Sequence, residues 1–451
     1  MASSNVTYPP PEPYTLPTCH PRPLKPLETP PRDLKPPQIP VPPRKSLLDD
    51  WYNLSTHIVP AAYPRTTPFI PLPRLPQWIP NKDEFKAAVR RTVDELNAAK
   101  VAQWNGELDH LGPNRRPMWH CINRYVRKGF RADGARKGVT LFMAHANGFP
   151  KEIWEPLLLA LAREQVKNPN YQVDEIWSWE AVNHGDSCLI NRDALGGLYD
   201  WRDNSRDILQ FLEYYLPTAA SPGALPTALP RLQDAEAQSR RANGLQARNV
   251  VFVGHSFGGC TIVRAALEEP RLFKSLFMLD AMIRPVEGRA PNPEEPILNL
   301  VAGAVQRRDG WSSKEEARKM FSAIPFFKAW DPATLDVYVE CGLYQAADDK
   351  VKLKMPGIQE AVCFAENYAA FETFELLEKL DPAIETRWLI ARNLTPRETE
   401  MRRKVAWRRK VNTSHRIVPS GHLIAQEIPS VAAKDLHEFL STRYGAQKAL
   451  L

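Results

Sequence analysis

Strands and helices alternating along the middle of this chain predict an α/β fold with a mostly parallel, doubly wound sheet covered on both faces. Three observations carry that expectation. Short apolar runs rich in β-branched and aromatic residues, such as 139–144 and 249–253, recur between segments of helical spacing. Gly254-His-Ser-Phe-Gly258 follows the second run and leads directly into an expected helix, Thr261 to Glu268. Between residues 286 and 376 the alternation gives way to a nearly all-helical stretch set between two core strands, as a lid inserted late in the sheet would be.

Taken in order, residues 1–80 hold 22 of the chain's 43 prolines. Proline removes amide donors and fixes φ, so this segment is expected to be an extended or disordered arm that stays out of the sheet interior. Ile70 to Trp78, with more apolar weight, is expected to lie along the folded body. A first core part is expected over 81–285. Asn81 and Glu84 have capping-box spacing, and Phe85, Val89, Val93 and Leu96 recur helically after them. Trp119 to Val126 alternates as an edge hairpin strand would. Strands are expected at 139–144, 175–181, 249–253 and 275–279, with helices at 153–162, 204–216 and 261–268 between them, and an Ala/Pro/Gln-rich surface insertion over 217–247. The lid, 286–376, should carry helices at 294–305, 313–323, 331–340 and 365–380. The last part, 377–451, supplies strands at 386–391 and 415–419 and a final helix at 431–444.

Composition narrows the function classes. A chain of 451 residues with 43% hydrophobic content is ordinary for a globular protein, and its longest apolar run, 156–162, is far too short to span a bilayer. The first ten residues lack the basic and apolar regions of a secretory leader. Six scattered cysteines without metal-ligand spacing fit buried thiols in a reducing compartment. The net charge of +7 is concentrated at Arg397–Lys410, where seven basic and two acidic residues fall in fourteen positions. Without repeated basic patches and interleaved aromatics, this pattern does not point to nucleic acid. It reads as a solvated face or as a docking patch for a phosphorylated substrate such as a coenzyme A ester.

The chemistry centres on Gly254-His-Ser-Phe-Gly258, which fits the G-x-S-x-G of a nucleophile elbow between a strand and a helix. Ser256 is the expected nucleophile. A serine hydroxyl needs a base, and His422, in a loop after the last core strand, opens on the same sheet edge. His184 and His255 read as turn-packing residues. The acid is Asp280, at the end of the strand beside the nucleophile strand, or alternatively Glu398, late in a basic segment after the next strand. The oxyanion donors are the amide of Phe257 at the helix N-terminus and one from the loop 145–150, with Asn147 ahead of Phe149. This chemistry calls for no metal and no organic cofactor.

These residues resemble the α/β-hydrolase superfamily. In detail they are similar to a fungal branch that includes toxin-biosynthesis hydrolases, a yeast peroxisomal lipase and the mycophenolic acid pathway acyl-CoA hydrolase. The resemblance rests on residues 144–151, Asn183-His-Gly-Asp-Ser187, 254–259, 420–427 and the lid segments 307–317 and 330–332, and it covers roughly 115–445. It implies an α/β-hydrolase fold and a Ser-Asp-His hydrolase of acyl esters or thioesters whose acid falls on Asp280. The proline-rich arm departs from the pattern, and Gln447-Lys-Ala-Leu-Leu451 does not read as an S-K-L address, so a cytoplasmic location is expected rather than a peroxisomal one. The rival expectation is a non-catalytic scaffold of this fold that binds partners through the arm. The expected partner of an enzyme is a small acyl ester or thioester, and the sequence leaves oligomeric state open.

Overall fold

The computed structural model describes residues 10–11, 15, 18–31, 34–76, 79–131, 138–286 and 295–445. The first nine residues and Gln447–Leu451, read above for targeting signals, lie outside the described residues, as do residues 77–78 of the apolar arm segment. An eight-stranded sheet organises the chain. Its strands are β1 (Tyr52–Pro60), β2 (Trp119–Arg127), β3 (Val139–Ala144), β4 (Val173–Trp179), β5 (Asn249–His255), β6 (Ser275–Leu279), and, after three short lid strands β7 (Gly310–Trp311), β8 (Leu343–Gln345) and β9 (Val351–Leu353), β10 (Glu385–Ala391) and β11 (Thr413–Val418). The order across the sheet is β1-β2-β4-β3-β5-β6-β10-β11. All neighbours from β4 to β11 run parallel, and only the β1–β2 and β2–β4 pairs are antiparallel.

Helices cover both faces: α1 (Lys82–Trp104), α2 (Glu155–Lys167), α3 (Gly185–Asn191), α4 (Trp201–Gln210), α5 (Asp234–Asn243) and α6 (Phe257–Glu268), then the lid helices and, after them, α13 (Pro396–Arg408), α14 (Ile424–Glu427) and α15 (Pro429–Tyr444). Side chains alternate across a strand, so Phe142 and Phe252 bury on the side of α4 and α6 while Leu141, Val251 and Val253 bury on the side of α2 and α15. The parallel strands are buried on both faces, which is why their sequences read as continuous apolar runs.

The arm is where the structure corrects the sequence expectation. Residues 52–60, placed by composition in an extended or disordered arm, form β1 and pair with β2 from Tyr52 opposite Arg127 to Pro60 opposite Trp119. The run contains no proline until its last residue, at the strand end, where a missing donor disturbs no ladder. Consequently β2 is not an edge strand, and seven of its nine residues are buried. The edge itself is partly covered, because Ile58 N donates to Thr227 O at 2.7 Å and Leu229 N to Ile58 O at 3.1 Å. The 217–247 segment thus shields an edge, and its helix α5 buries Arg240, which bonds the carbonyls of Leu212 and Leu216. Further upstream the arm packs as a strap: Arg22 bonds Glu372, and the carbonyls of Pro23, Lys25 and Pro26 accept from Arg202 and Arg206 of α4.

The 286–376 region carries α7 (Glu295–Val305), α8 (Lys314–Ala323), α9 (Pro325–Lys328), α10 (Pro332–Gly342), α11 (Gly357–Ala365) and α12 (Tyr368–Leu376). It is less uniformly helical than expected. Its three short strands form a small antiparallel sheet in the order β7-β9-β8; the helix expected at 365–380 is the shorter α12, closed by a 3-10 turn at Leu377–Lys379, and α11 before it was not expected. Residues 287–294, which join this region to β6, lie outside the described residues.

Candidate active site

β5 ends at His255 and α6 begins at Phe257, leaving one residue for the reversal. Ser256 takes it at φ 53 and ψ −117, a region strained for any non-glycine residue. Its amide donates to Leu279 O on β6 at 3.1 Å. The elbow needs its glycines for close approach: a Cβ on Gly258 would stand 2.4 Å from Ala144 O, and one on Gly254 would stand 2.6 Å from Gly259 Cα.

Three side chains from three strand ends meet here. His422, in the loop between β11 and α14, brings Nε2 to 2.8 Å from Ser256 Oγ and Nδ1 to 2.5 Å from Asp280 Oδ2. Asp280 follows β6 directly, at φ 36, and its amide donates to Leu389 O on β10. Burial opposes ionisation of this carboxyl. Arg402 and His422 outweigh burial and hold it well below the usual carboxylate range. Arg402 donates from Nε to Oδ1 at 2.7 Å and from Nη2 to Oδ2 at 3.0 Å. The loop carrying His422 is pinned from below, because His255 Nε2 lies 2.9 Å from the His422 carbonyl oxygen. With burial pushing His255 down to about 3, its ring is neutral and Nε2–H donates.

Glu398 is elsewhere. It is the N3 residue of a capping box that starts α13, accepting from Thr395 N at 2.8 Å and Oγ1 at 2.7 Å. The structure brings Ser256, His422 and Asp280 together and leaves Glu398 at a helix end. The residue sequence reasoning missed is Arg402. It sits in the Arg397–Lys410 run read as a solvated face or docking patch, yet it lies beside buried Met401, Val405 and Ala406. That apolar stripe is the signal that could have turned it inward. Other cations of the run are committed too: Arg409 bonds the Ile384 carbonyl, and Arg408 pairs with Glu375 and Glu378.

The loop after β3 faces the elbow. Asn147 Nδ2 donates to Glu360 O at 3.2 Å, and its Oδ1 lies 3.0 Å from His184 Nε2. His184 in turn stacks on Phe257, with centroids 5.7 Å apart and an interplanar angle of 10°. One packed cluster therefore joins the loop of Asn147 and Phe149 to the first residue of α6, whose amide is one of the helix's unsatisfied N-terminal donors. Burial and the neighbouring His145 keep His184 neutral, well below its ordinary value. His184 and His255 thus occupy packing positions, as expected.

Above Ser256 and His422 lies a cavity of about 420 Å³. Its wall is mainly apolar and rich in aromatics, among them Phe149, Trp201, Phe257, Trp330, Tyr338 and Phe364, and helices α7, α9, α10 and α11 supply much of it. Arg307 and Glu360 form an ion pair in the wall. Among the described residues no group of three or more His, Cys, Asp or Glu side chains could hold a metal ion, and no helix is long and apolar enough to cross a membrane.

Comparison with known proteins agrees with this architecture. The alpha/beta hydrolase family model matches residues 141–433. The type I acyl-CoA thioesterase mpaH of Penicillium roqueforti is 27% identical over 201 residues, 44% of this chain and 38% of that protein. Peroxisomal membrane protein LPX1 of Saccharomyces cerevisiae is 29% identical over 145 residues, 32% of this chain and 31% of that protein. The abhydrolase domain-containing protein ACTT2-1 of Alternaria alternata is 32% identical over 108 residues, 24% of this chain and 37% of that protein. The aligned stretches therefore span less than two fifths of these curated relatives. The solved structure of Lpx1 superposes with a TM-score of 0.59 at 18% identity, over 89% of this chain and 93% of that one, a likeness of fold. The chain belongs to the alpha/beta hydrolase family.

Proposed function

We propose that the protein is a serine hydrolase of acyl esters or acyl thioesters, with Ser256 as nucleophile, His422 as general base and Asp280 as the acid that orients it. The observation that carries this reading is the unbroken hydrogen-bonded chain from Ser256 Oγ through His422 to Asp280, opening into an apolar cavity. Ser256 Oγ attacks the substrate carbonyl as its proton passes to His422 Nε2. Asp280, kept ionised by Arg402, stabilises the imidazolium and fixes the tautomer. The amides of Phe257 and of Asn147 take the developing oxyanion, at the positive end of α6. The protonated His422 then gives its proton to the leaving alcohol or thiol, and water returned through the same base releases the acyl group. The aromatic wall fits an acyl chain or ring better than a charged group. The context this reading favours is fungal lipid or secondary metabolism inside the cell: the organisms of the relatives are fungi, one relative is named an acyl-CoA thioesterase, and the described cysteines are free and buried.

A fluorophosphonate probe tests the proposal. The expected outcome is covalent labelling of Ser256 in the wild type and none in Ser256→Ala, with turnover on at least one member of a panel of p-nitrophenyl esters and acyl-CoAs. Folded wild-type protein that takes no label and turns over none of the panel overturns it in favour of a non-catalytic scaffold.

A further inference from the structure

Glu360, on α11, is a buried carboxylate set against the loop that follows β3. A Cβ on Gly148, whose φ is +89, would stand 2.9 Å from Glu360 Oε1, so the carboxylate lies directly on the loop's backbone. One residue earlier, Asn147 Nδ2 donates to the Glu360 carbonyl at 3.2 Å. The same loop is tied to the nucleophile turn, because Gly258 N, two residues past Ser256, donates to His145 O at 3.1 Å. Arg307, in the segment after α7, answers the charge. Its Nη1 lies 2.5 Å from Glu360 Oε2, and it also hydrogen-bonds Tyr338 of α10. Arg307 and Glu360 both belong to the wall of the cavity that holds Ser256 and His422, and the Arg307 side chain is 29% exposed there.

A carboxylate beside the place where an oxyanion forms opposes that reaction, because like charges repel most strongly where water is excluded. The other titratable groups around Glu360 leave its neutralisation to Arg307. Burial pushes the Tyr338 phenol up to about 12 and the Cys363 thiol well above its ordinary value, so both stay neutral. His184 is neutral, Lys100 pairs with Glu366, and the Arg284 guanidinium lies over the Phe371 ring at 4.9 Å. Burial raises the Glu360 pKa and Arg307 opposes the rise, so loss of Arg307 favours the protonated carboxyl further.

We propose that Arg307 is a positioning residue for the reaction: it neutralises the Glu360 carboxylate that packs on Gly148, so that the loop after β3 offers its Asn147 amide to a developing oxyanion with no opposing charge beside it. This rests on the hydrolase reading above and deepens it. Arg307 acts through Glu360 and needs no contact with the substrate.

The test compares wild type, Arg307→Met and the double variant Arg307→Met/Glu360→Gln on the best p-nitrophenyl ester of the panel, with kcat and KM measured between about pH 6 and pH 9. Arg307→Met is expected to lose about tenfold in kcat at the alkaline end, less than the hundredfold or more that loss of an oxyanion donor costs. Its KM should change by less than about threefold, since the charge acts on the transition state. The deficit relative to wild type should narrow as pH falls, because the unpaired carboxyl takes up a proton and its charge disappears. The His422 base is common to all variants, so the ratio to wild type isolates Glu360. Adding Glu360→Gln to Arg307→Met should restore most of the lost kcat at every pH, which the removal of a second structural contact would not do. Arg307→Lys, which keeps the charge, should also retain most of kcat. No deficit in Arg307→Met, a deficit independent of pH, one seen mainly in KM, or one that persists in the double variant overturns the proposal while Ser256 still takes the fluorophosphonate label. Wild-type protein that takes no label and turns over no ester overturns the hydrolase reading, and this proposal with it. Should Arg307→Met fail to fold, Arg307→Gln and its double variant with Glu360→Gln give the same readout.

Discussion

Arg402 and His422 share one carboxylate: Arg402 reaches both oxygens of Asp280 at 2.7 and 3.0 Å, and His422 Nδ1 lies 2.5 Å from Oδ2. The pairing holds a charge where burial alone would remove it, so Arg402 sits behind the proposed triad as its electrostatic support.

Asp280→Asn should lower kcat by about a thousandfold or more with little change in KM, since an amide cannot stabilise the imidazolium. Glu398→Gln should leave kcat within about twofold and cost about 1 kcal/mol or less through its cap. Steady-state kinetics on the two variants check both statements. A dead Glu398→Gln beside an active Asp280→Asn would reverse the assignment.

Arg402→Met should destabilise the protein by about 3 kcal/mol or more at neutral pH, because it strands a buried carboxylate. The depressed pKa of Asp280 means its stabilising contribution is present above the unfolded value near 4 and lost as pH falls toward the lower folded value. The stability gap between wild type and Arg402→Met should therefore be widest above about pH 5 and narrow in acid. Chemical denaturation at several pH values measures it.

His255 gives a pH signature of the same sign in a higher pH window. Burial, followed by the neighbouring His422, pushes it from 6.5 to about 3, so between those values the unfolded chain binds a proton that the folded chain refuses. Stability falls as pH drops through that window, by about 1.4 kcal/mol per pH unit from this one group. Glutamine in its place removes the contribution. The stability difference between wild type and His255→Gln should shift toward the variant by about 2 kcal/mol from pH 7.5 to pH 5, as read from denaturation curves.

Deleting residues 1–75 should leave the body insoluble or strongly destabilised. The cut removes β1, uncovers the β2 edge, and takes from buried Asp207 its Arg65 partner and from buried Glu155 its Arg44 partner. Unchanged solubility and melting temperature in the truncated protein would show that these contacts contribute little.

Much of this was legible in the sequence because the central strands announce themselves: 139–144 and 275–279 were read at the bounds the structure gives. The sharp turn at Ser256 was equally plain, since a single residue between strand and helix needs glycines on both sides. Three things were not. β1 was hidden by averaging, because its nine residues sit among prolines that set the composition of the whole segment. The lid strands, two or three residues long, have no periodicity to detect. Arg402 depends on which side of its helix faces inward, and polar residues at such positions carry little pattern of their own.

The strap also sets an order of assembly. Arg22 closes on Glu372 across 350 positions, and the carbonyls of Lys25 and Pro26 wait for Arg206, about 180 positions later. Synthesised before α4, α6 and α12, residues 19–26 have no surface to join until those helices are made. Such late closure of a long loop is slow, and an unpaired strand left waiting is an aggregation hazard. Proline spacing around β1 makes the waiting segment a poor template for misplaced pairing. The composition that obscured the strand from view is suited to keeping it available until its partners exist.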